Sequence, residues 1–297
     1  MTYYISFLSK RSTTEEAVKE LIQQSFKGDF KFIDYEDHRN VQDKKGGKHV
    51  AIVIGGDGSL NFAVNKIISD EMSDFLSICY MPRGTGNDFS RVVGLHEMSD
   101  EQIIALVQRG SDRKISIGKI NNTYFANMLS CGLFAEVTPE VDEDIKNLIG
   151  AWSYYFKGIS MLGELTPWSC KFEIDGSESL EFSSLLGFFI GNSRYAGGGI
   201  QVTSDADPSD SQLDVLVIKN MSTPDLLALG LELQKDQPDL SAYNVLYRKF
   251  EKLKFGCEGS FKVSVDGEPS DFSSGSVEVI PKALNVFVPS NVVEESE

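Results

Sequence analysis

The sequence predicts two architectures in one chain. Residues 1–120 read as an α/β domain with a parallel sheet, and residues 121–283 as a mainly antiparallel β domain. Three observations carry this. The β-branched run Val50–Ile54 is followed by "GGDGS" and then by apolar residues at helical spacing, Leu60, Ala63, Val64, Ile67 and Ile68. A second apolar run, "FLSICYM" (75–81), ends at Pro82 and another glycine loop, "RGTGND". From about Lys114 this strand–helix rhythm gives way to short alternating runs. The boundary is that change of rhythm, near residues 112–124, with no visible linker.

In the first domain Tyr3–Leu8 reads as a strand. Ser12 and Thr13, with Glu15 and Glu16 three residues on, start a capped helix carrying Val18, Leu21, Ile22 and Phe26. Lys31–Tyr35 is a short strand, and the two strands flanking the glycine loops follow. Strands alternating with helices imply a doubly wound parallel sheet. In the second domain "KISIGKI", "CKFEIDG", "LLGFFIGN", "LDVLVIK", "KLKFG", "FKVSVDGE", "SVEVI" and "LNVFVP" are strands of a sandwich or an open barrel. Asp175-Gly176 marks a hairpin. Two helical patches interrupt them: the aromatic-rich segment 147–165, and "TPDLLALGLEL" with Thr223 as N-cap and Pro224 at the first helical position.

Composition excludes several classes. A net charge of −16 argues against nucleic acid as a partner. The short basic runs "KKGGK" and "RKFEKLK" read as solvated faces. No apolar segment approaches the roughly 20 residues of a membrane span, and the N-terminus lacks a signal-peptide pattern. Cys79, Cys131, Cys170 and Cys257 are widely spaced with no CxxC pair, which argues against zinc and against a disulfide framework and points to a reducing cytoplasm. The three histidines show no ligand spacing.

The two glycine loops follow strands of one βαβ unit. A right-handed crossover brings both to the carboxyl edge of the sheet, where open α/β sheets bind ligands. Glycines expose backbone N–H groups to an anion, the helix start adds a favourable dipole, and Ser59 and Thr85 supply hydroxyls. One such loop alone is equally a tight strand-to-helix turn. Two together describe a nucleotide-phosphate site. Neither a GxGxxG fingerprint nor a Walker A pattern is present. An aspartate, Asp57, stands at the centre of the first loop.

"GGDGSLNFAVN" and "PRGTGNDFSR" resemble the two signature motifs of the diacylglycerol kinase catalytic family, which includes sphingosine kinases and bacterial lipid kinases. The likeness continues in order through "FANMLSCGLFAEV", "GNSRYAGGGIQVTSDADPSDSQLDVLVI" and "VSVDGEP". It implies a nucleotide domain of NAD-kinase-like fold, a C-terminal β-sandwich, an active site between them, and a last segment, about 284–297, that returns to the first domain. It implies an ATP-dependent, Mg2+-requiring kinase acting on a hydroxyl of diacylglycerol or a related lipid, met at a membrane surface by a cytoplasmic protein. A homodimer is left open. By motif, Gly55, Gly56, Asp57, Gly58, Ser59, Leu60, Asn61 and Phe62, with Gly84, Thr85, Gly86, Asn87 and Asp88, hold ATP. Asp57 is a metal partner or base, and Glu268 the proton acceptor. Asp266 is either catalytic beside it or the first residue of a hairpin turn. Asp207, Asp210 and the Gln212 carbonyl align with a structural magnesium site, though Ser209 and Ser211 replace an aspartate and a glycine of the family pattern. The family's Asn-Pro-x-Ser-Gly turn after the first strand is "LSKRST" here, where Ser9 and Lys10 are the phosphate-binding candidates. Two other readings compete: an NAD-kinase-like phosphotransferase, which shares GGDG without the GTGNDF loop, and a non-catalytic lipid- or nucleotide-binding protein.

Overall fold

The computed structural model describes residues 1–8, 12–41, 47–136, 167–259, 262–270, 272 and 274–289. Ser9, Lys10 and the aromatic-rich segment 147–165 lie outside them. The chain divides into two compact units, Met1–Ile117 with Ile280–Glu297, and Gly118–Val279.

The first unit alternates strands and helices: β1 (Thr2–Phe7), α1 (Ser12–Ser25), β2 (Phe30–Phe32), β3 (Gly47–Gly55), α2 (Asp57–Ser69), β4 (Leu76–Pro82), α3 (Asp88–Val92), α4 (Asp100–Arg109) and the start of β5 (Asp112–Ile120). β1 pairs in parallel with β2 and β3, and β3 in parallel with β4. Val50–Val53 and Ile78–Met81 are 0–1% exposed, as expected of strands covered on both faces. α2 buries Leu60, Ala63, Val64 and Ile67 of the predicted stripe, and Ile68 is only partly buried. The second strand is shorter than its sequence suggests. It stops at Phe32, and Tyr35–Arg39 forms a 3-10 turn instead. α4 carries a complete capping box, Ser99 with Gln102, and ends on Gly110 at φ 67°.

The second unit holds β6 (Thr123–Phe125), β7 (Met128–Gly132), α5 (Leu133–Glu136), β8 (Trp168–Ile174), β9 (Glu178–Gly191), β10 (Tyr195–Ala196), β11 (Ile200–Gln201), β12 (Leu213–Lys219), α6 (Thr223–Glu232), β13 (Val245–Phe250), β14 (Lys252–Cys257), β15 (Val263–Val265), β16 (Glu268–Ser270) and most of β17 (Ser274–Phe287). Its strand pairs are antiparallel: β8 with β9 and β14, β7 with β9 and β15, and β12 with β9 and β13. Alternation buries both faces of the central strands. Phe188, Ile190, Val215 and Val217 join one apolar cluster, whereas Leu186, Phe189, Leu216 and Ile218 join another, which α6 covers with Leu226 and Leu229. Asp175 and Gly176, at φ 49° and 66°, make the predicted hairpin between β8 and β9.

Three expectations need correction. α6 is capped one residue earlier than predicted: the Ser222 side chain accepts from the Asp225 N–H, which moves Pro224 to the second helical position. "SVEVI" and "LNVFVP" are one strand, β17, which passes Pro281 with Lys282 at φ 51°. Its end returns to the first unit and pairs in parallel with β4, Asn285 opposite Ser77. Cys170 and Cys257 form a disulfide. They are 87 residues apart in sequence, so spacing hides the pair, but register sets β8 and β14 with these residues directly opposite.

Candidate functional site

The β3–β4 register ends with Gly55 opposite Pro82, so the two glycine loops leave the sheet side by side. The Arg83 N–H donates to the Gly55 carbonyl at 2.8 Å, carrying the pairing one residue further. Gly55, at φ 151°, adopts a backbone conformation that favours glycine, and a Cβ there would meet the Ser59 Oγ at 2.3 Å. Gly56 and Gly84 serve a different end. A Cβ on Gly84 would lie 2.5 Å from the Gly56 Cα, and one on Gly56 would lie 2.9 Å from the Gly84 Cα. The two loops touch backbone to backbone.

Gly56 is the N-cap of α2, so Asp57, Gly58 and Ser59 form its first turn. The Asp57 carboxylate does not lie loose among the glycines. Its two oxygens accept the N–H groups of Asp88 and Phe89, each at 3.3 Å, at the start of α3. These are donors that a helix start leaves without an internal partner, so a carboxylate is suited to the position. Asn87 closes the second loop. It sits at φ 50°, its Oδ1 accepts from the Gly84 N–H at 2.8 Å, and its Nδ2 donates to the Gly84 carbonyl at 2.7 Å. Asp88 is buried. Burial, and then the Asp57 and Asp88 charges, push the Tyr80 hydroxyl up. Leu60 is core, and the Asn61 carbonyl accepts from Asn65 Nδ2 at 2.9 Å. Thr85 is exposed at the tip of the second loop and Phe62 is 45% exposed on α2. The loop's cations are engaged: Arg83 with Asp100 at 2.5 Å, and Arg91 with His96 at 2.9 Å.

In the second unit Asp266 and Gly267 form a two-residue turn between β15 and β16, with φ of 48° and 87°. Asp266 takes the turn position that the sequence left open, and its side chain pins a neighbouring strand. The carboxylate accepts the N–H groups of Ala126 at 2.9 Å, Asn127 at 3.0 Å and Met128 at 2.8 Å. Glu268 follows as the first residue of β16, exposed and opposite Val265. The pinned segment continues inward. Asn192 Nδ2 donates to the Ala126 carbonyl at 2.8 Å, Ser193 Oγ to Asn127 Oδ1 at 3.2 Å, and Thr203 Oγ1 to the Ser193 carbonyl at 2.8 Å. Motifs that the sequence shows as separate, "FANM", "GNSR", "QVTS" and "VDGE", are one buried hydrogen-bonded knot around the turn that presents Glu268. Short polar residues beside glycines are the signal for it, but only register brings them together.

The acidic segment is arranged differently from a metal site. Asp207 Oδ1 accepts the Ser209 N–H at 2.8 Å, and Asp210 Oδ1 accepts the Gln212 N–H at 2.9 Å. Asp210 Oδ2 faces the Lys249 ammonium at 3.1 Å. Among the described residues there is no group of three or more His, Cys, Asp or Glu that could hold a metal ion, and one oxygen of each aligned aspartate is already on a loop N–H. Asp214, which motif reasoning missed, is fully buried beside it, and burial pushes its carboxyl up to about 6 against the pull of Tyr247 and Lys249.

Comparison with known proteins agrees with this geometry. Residues 9–120 match the diacylglycerol kinase catalytic domain, and residues 127–288 match the YegS C-terminal NAD kinase beta sandwich-like domain. The chain is 25% identical over 244 residues to a diacylglycerol kinase of Bacillus subtilis (strain 168), covering 82% of this chain and 79% of that one. To a diacylglycerol kinase of Staphylococcus aureus (strain JH9) it is 28% identical over 247 residues, 83% of this chain and 76% of the other. The fold matches a solved diacylglycerol kinase structure from Bacillus anthracis str. Sterne with a TM-score of 0.71 at 21% identity, covering 98% of each chain. With one domain model spanning more than half of its length and a second spanning most of the remainder, the chain belongs to the diacylglycerol kinase catalytic family.

Proposed function

We propose that the protein transfers the γ-phosphoryl group of ATP to a hydroxyl of diacylglycerol or a related lipid. The observation that carries this reading is the pair of glycine loops locked together by the Gly56–Gly84 approach and by Asp57. Such a rigid, backbone-lined edge suits a phosphate chain. Phosphoryl transfer asks the protein mainly for positioning and for charge neutralisation.

In this reading the first-turn N–H groups of α2 and the Thr85 hydroxyl hold the phosphates. Asp57 is the carboxylate that would hold a Mg2+ brought with ATP, and that ion would supply charge neutralisation to the phosphates. The acceptor hydroxyl oxygen forms a bond to the γ-phosphorus as the bond to the β-phosphate oxygen breaks, and ADP leaves. The hydroxyl proton goes to the Glu268 carboxylate. Glu268 is exposed, and Asp266 stands two residues earlier with its oxygens on three backbone N–H groups. That division of labour favours Glu268 as the proton acceptor and Asp266 as the residue that sets its turn. A diacylglycerol resides in the bilayer, so in this reading the lipid would be met at the membrane surface; among the described residues no helix is long and apolar enough to cross a membrane.

Labelled ATP, Mg2+ and a panel of lipids in mixed micelles, with NAD in parallel, test the reading. Label is expected in a lipid, is abolished in Glu268→Gln and is strongly reduced in Asp57→Asn. Label in NAD and not in any lipid refutes it. Nucleotide binding without transfer to any acceptor favours a binding protein instead.

A further inference from the structure

The acidic segment that aligns with a structural magnesium site holds a cation of its own. Lys249 on β13 stands directly opposite Asp214 on β12. Its ammonium lies 2.9 Å from the Asp205 carbonyl, 3.1 Å from Asp210 Oδ2 and 3.5 Å from Asp214 Oδ2. An ammonium has three N–H donors; here it donates to the Asp205 carbonyl and Asp210 Oδ2 and pairs by charge with Asp214 Oδ2. Two carboxylates and a backbone carbonyl are also what a hard divalent cation collects. We propose that the Lys249 ammonium, which shares Asp210 with the aligned set of Asp207, Asp210 and the Gln212 carbonyl, takes the place of a metal here, so that the loop 205–214 is closed by a covalently attached charge and binds no divalent ion.

The surroundings explain why a cation is needed there. Asp214 is 0% exposed, and a buried carboxylate is tolerated only when paired and hydrogen-bonded. The Tyr247 hydroxyl donates to Asp214 Oδ1 at 2.8 Å and accepts the Asp205 N–H at 3.1 Å. Asp214 Oδ2 is buried with no hydrogen bond of its own, and the ammonium at 3.5 Å is the charge that faces it. The rest of the loop is shaped without a metal. Asp207 and Asp210 turn it through the N–H groups of Ser209 and Gln212, and Arg194 Nε donates to the Ala206 carbonyl at 3.2 Å. A metal among the same oxygens would have to displace the lysine, against charge repulsion and against strand pairing that anchors the side chain.

The test counts Mn2+ bound to EDTA-stripped, nucleotide-free protein, with melting temperatures in EDTA and in excess Mn2+. Wild type and Asp210→Asn are expected to bind the same number of ions, because Asp210 serves no metal. Lys249→Met keeps the apolar stem and removes the charge. It is expected to gain one equivalent of Mn2+, to melt several degrees higher with Mn2+ than in EDTA, and to lose both effects when combined with Asp210→Asn. A bound ion in wild type that Asp210→Asn abolishes overturns the proposal. So does a folded Lys249→Met protein that takes up no additional Mn2+. Should Lys249→Met fail to fold, the comparison of wild type with Asp210→Asn decides alone.

Discussion

Replacing Gly84 with alanine isolates the contact on which the two loops depend. The added Cβ would lie 2.5 Å from the Gly56 Cα and 3.0 Å from Asn87 Oδ1. Van der Waals contact between carbons needs about 3.5 Å, so the loops must part by roughly 1 Å. Both nearby groups are constrained. Gly56 caps α2, and the Asn87 side chain is held by the backbone of the same loop. Parting the loops stretches the two 3.3 Å bonds from Asp57 to the start of α3, which are already long. Overpacking of this kind costs about 1–3 kcal/mol. Misplacing the phosphate edge by a comparable distance lowers turnover by about 100-fold. Gly56→Ala has the looser clash, 2.9 Å, and is expected to be milder. Gly256→Ala, with nothing within 4 Å of its Cβ, is the control. Urea melts and lipid-kinase rates on the three variants should rank Gly84→Ala below Gly56→Ala, and Gly56→Ala below Gly256→Ala. Wild-type rate and stability in Gly84→Ala would show that the loops do not need to touch.

The remaining predictions probe the second unit and a buried histidine pair. Asp266→Ala is expected to cost about 1–3 kcal/mol in urea unfolding, because three buried N–H groups lose their acceptor. Glu268→Gln should leave stability unchanged and remove turnover, and equal stability losses in the two variants would erase the distinction drawn between them. Reducing the Cys170–Cys257 disulfide frees an 87-residue loop, worth at most about 4–5 kcal/mol in the chain-entropy model. A lowered melting temperature in reductant, absent in a Cys170→Ala/Cys257→Ala protein, checks this. His38 is fully buried, 2.8 Å from His49 Nδ1 and 2.8 Å from Ser6 Oγ, and burial followed by the His49 charge lowers it from 6.5 to about 4. The unfolded chain therefore binds a proton that the native chain refuses between those values. Stability is complete above pH 6.5 and falls, by up to about 3 kcal/mol, as the pH drops towards 4. Unfolding measured across that window should be steeper in wild type than in His38→Gln, and identical slopes would discard the assignment.

The α/β half was legible because its signals are local. Val50–Ile54 reads as a doubly covered strand, and Leu60, Ala63, Val64 and Ile67 as the inner face of a helix, and each sits where its periodicity puts it. The side-by-side exit of the two loops follows from chain direction and crossover handedness alone. α4 went unread although Ser99, Gln102 and Gly110 mark both of its ends. The second unit was legible as strands but not as contacts. Nothing local in sequence joins Asp266 to Ala126, Asn192 to Ala126, or Cys170 to Cys257. These pairs are 66 to 140 residues apart or bridged by register, and a single sequence carries no register between distant strands. Lys249 was likewise hidden. It reads as part of a solvated basic run, and only its place opposite Asp214 shows what its charge serves.

An aspartate at the centre of a loop proposed to face phosphate is costly unless something else needs it. Read from sequence, Asp57 required a reacting partner, magnesium or a hydroxyl, to justify its charge. The structure supplies a second need: the carboxylate joins the first loop to the N–H groups that open α3. The two needs are compatible and ordered. A carboxylate whose oxygens are oriented by two backbone donors is fixed before any nucleotide arrives, so its remaining lone pairs are already aimed. Arg83 and Arg91 are held by Asp100 and His96. Among the described residues the edge thus offers mainly backbone donors, and on the proposed reading Mg2+ would supply counter-charge to a bound nucleotide. On the proposed reading, a dependence on Mg2+ and the presence of Asp57 would be two sides of one electrostatic arrangement. Asp57→Asn separates them: an amide keeps one acceptor for α3 and loses the charge, so stability should survive while the response of the rate to Mg2+ concentration weakens. A variant that loses stability but keeps its Mg2+ response would leave Asp57 as a brace between loops and nothing more.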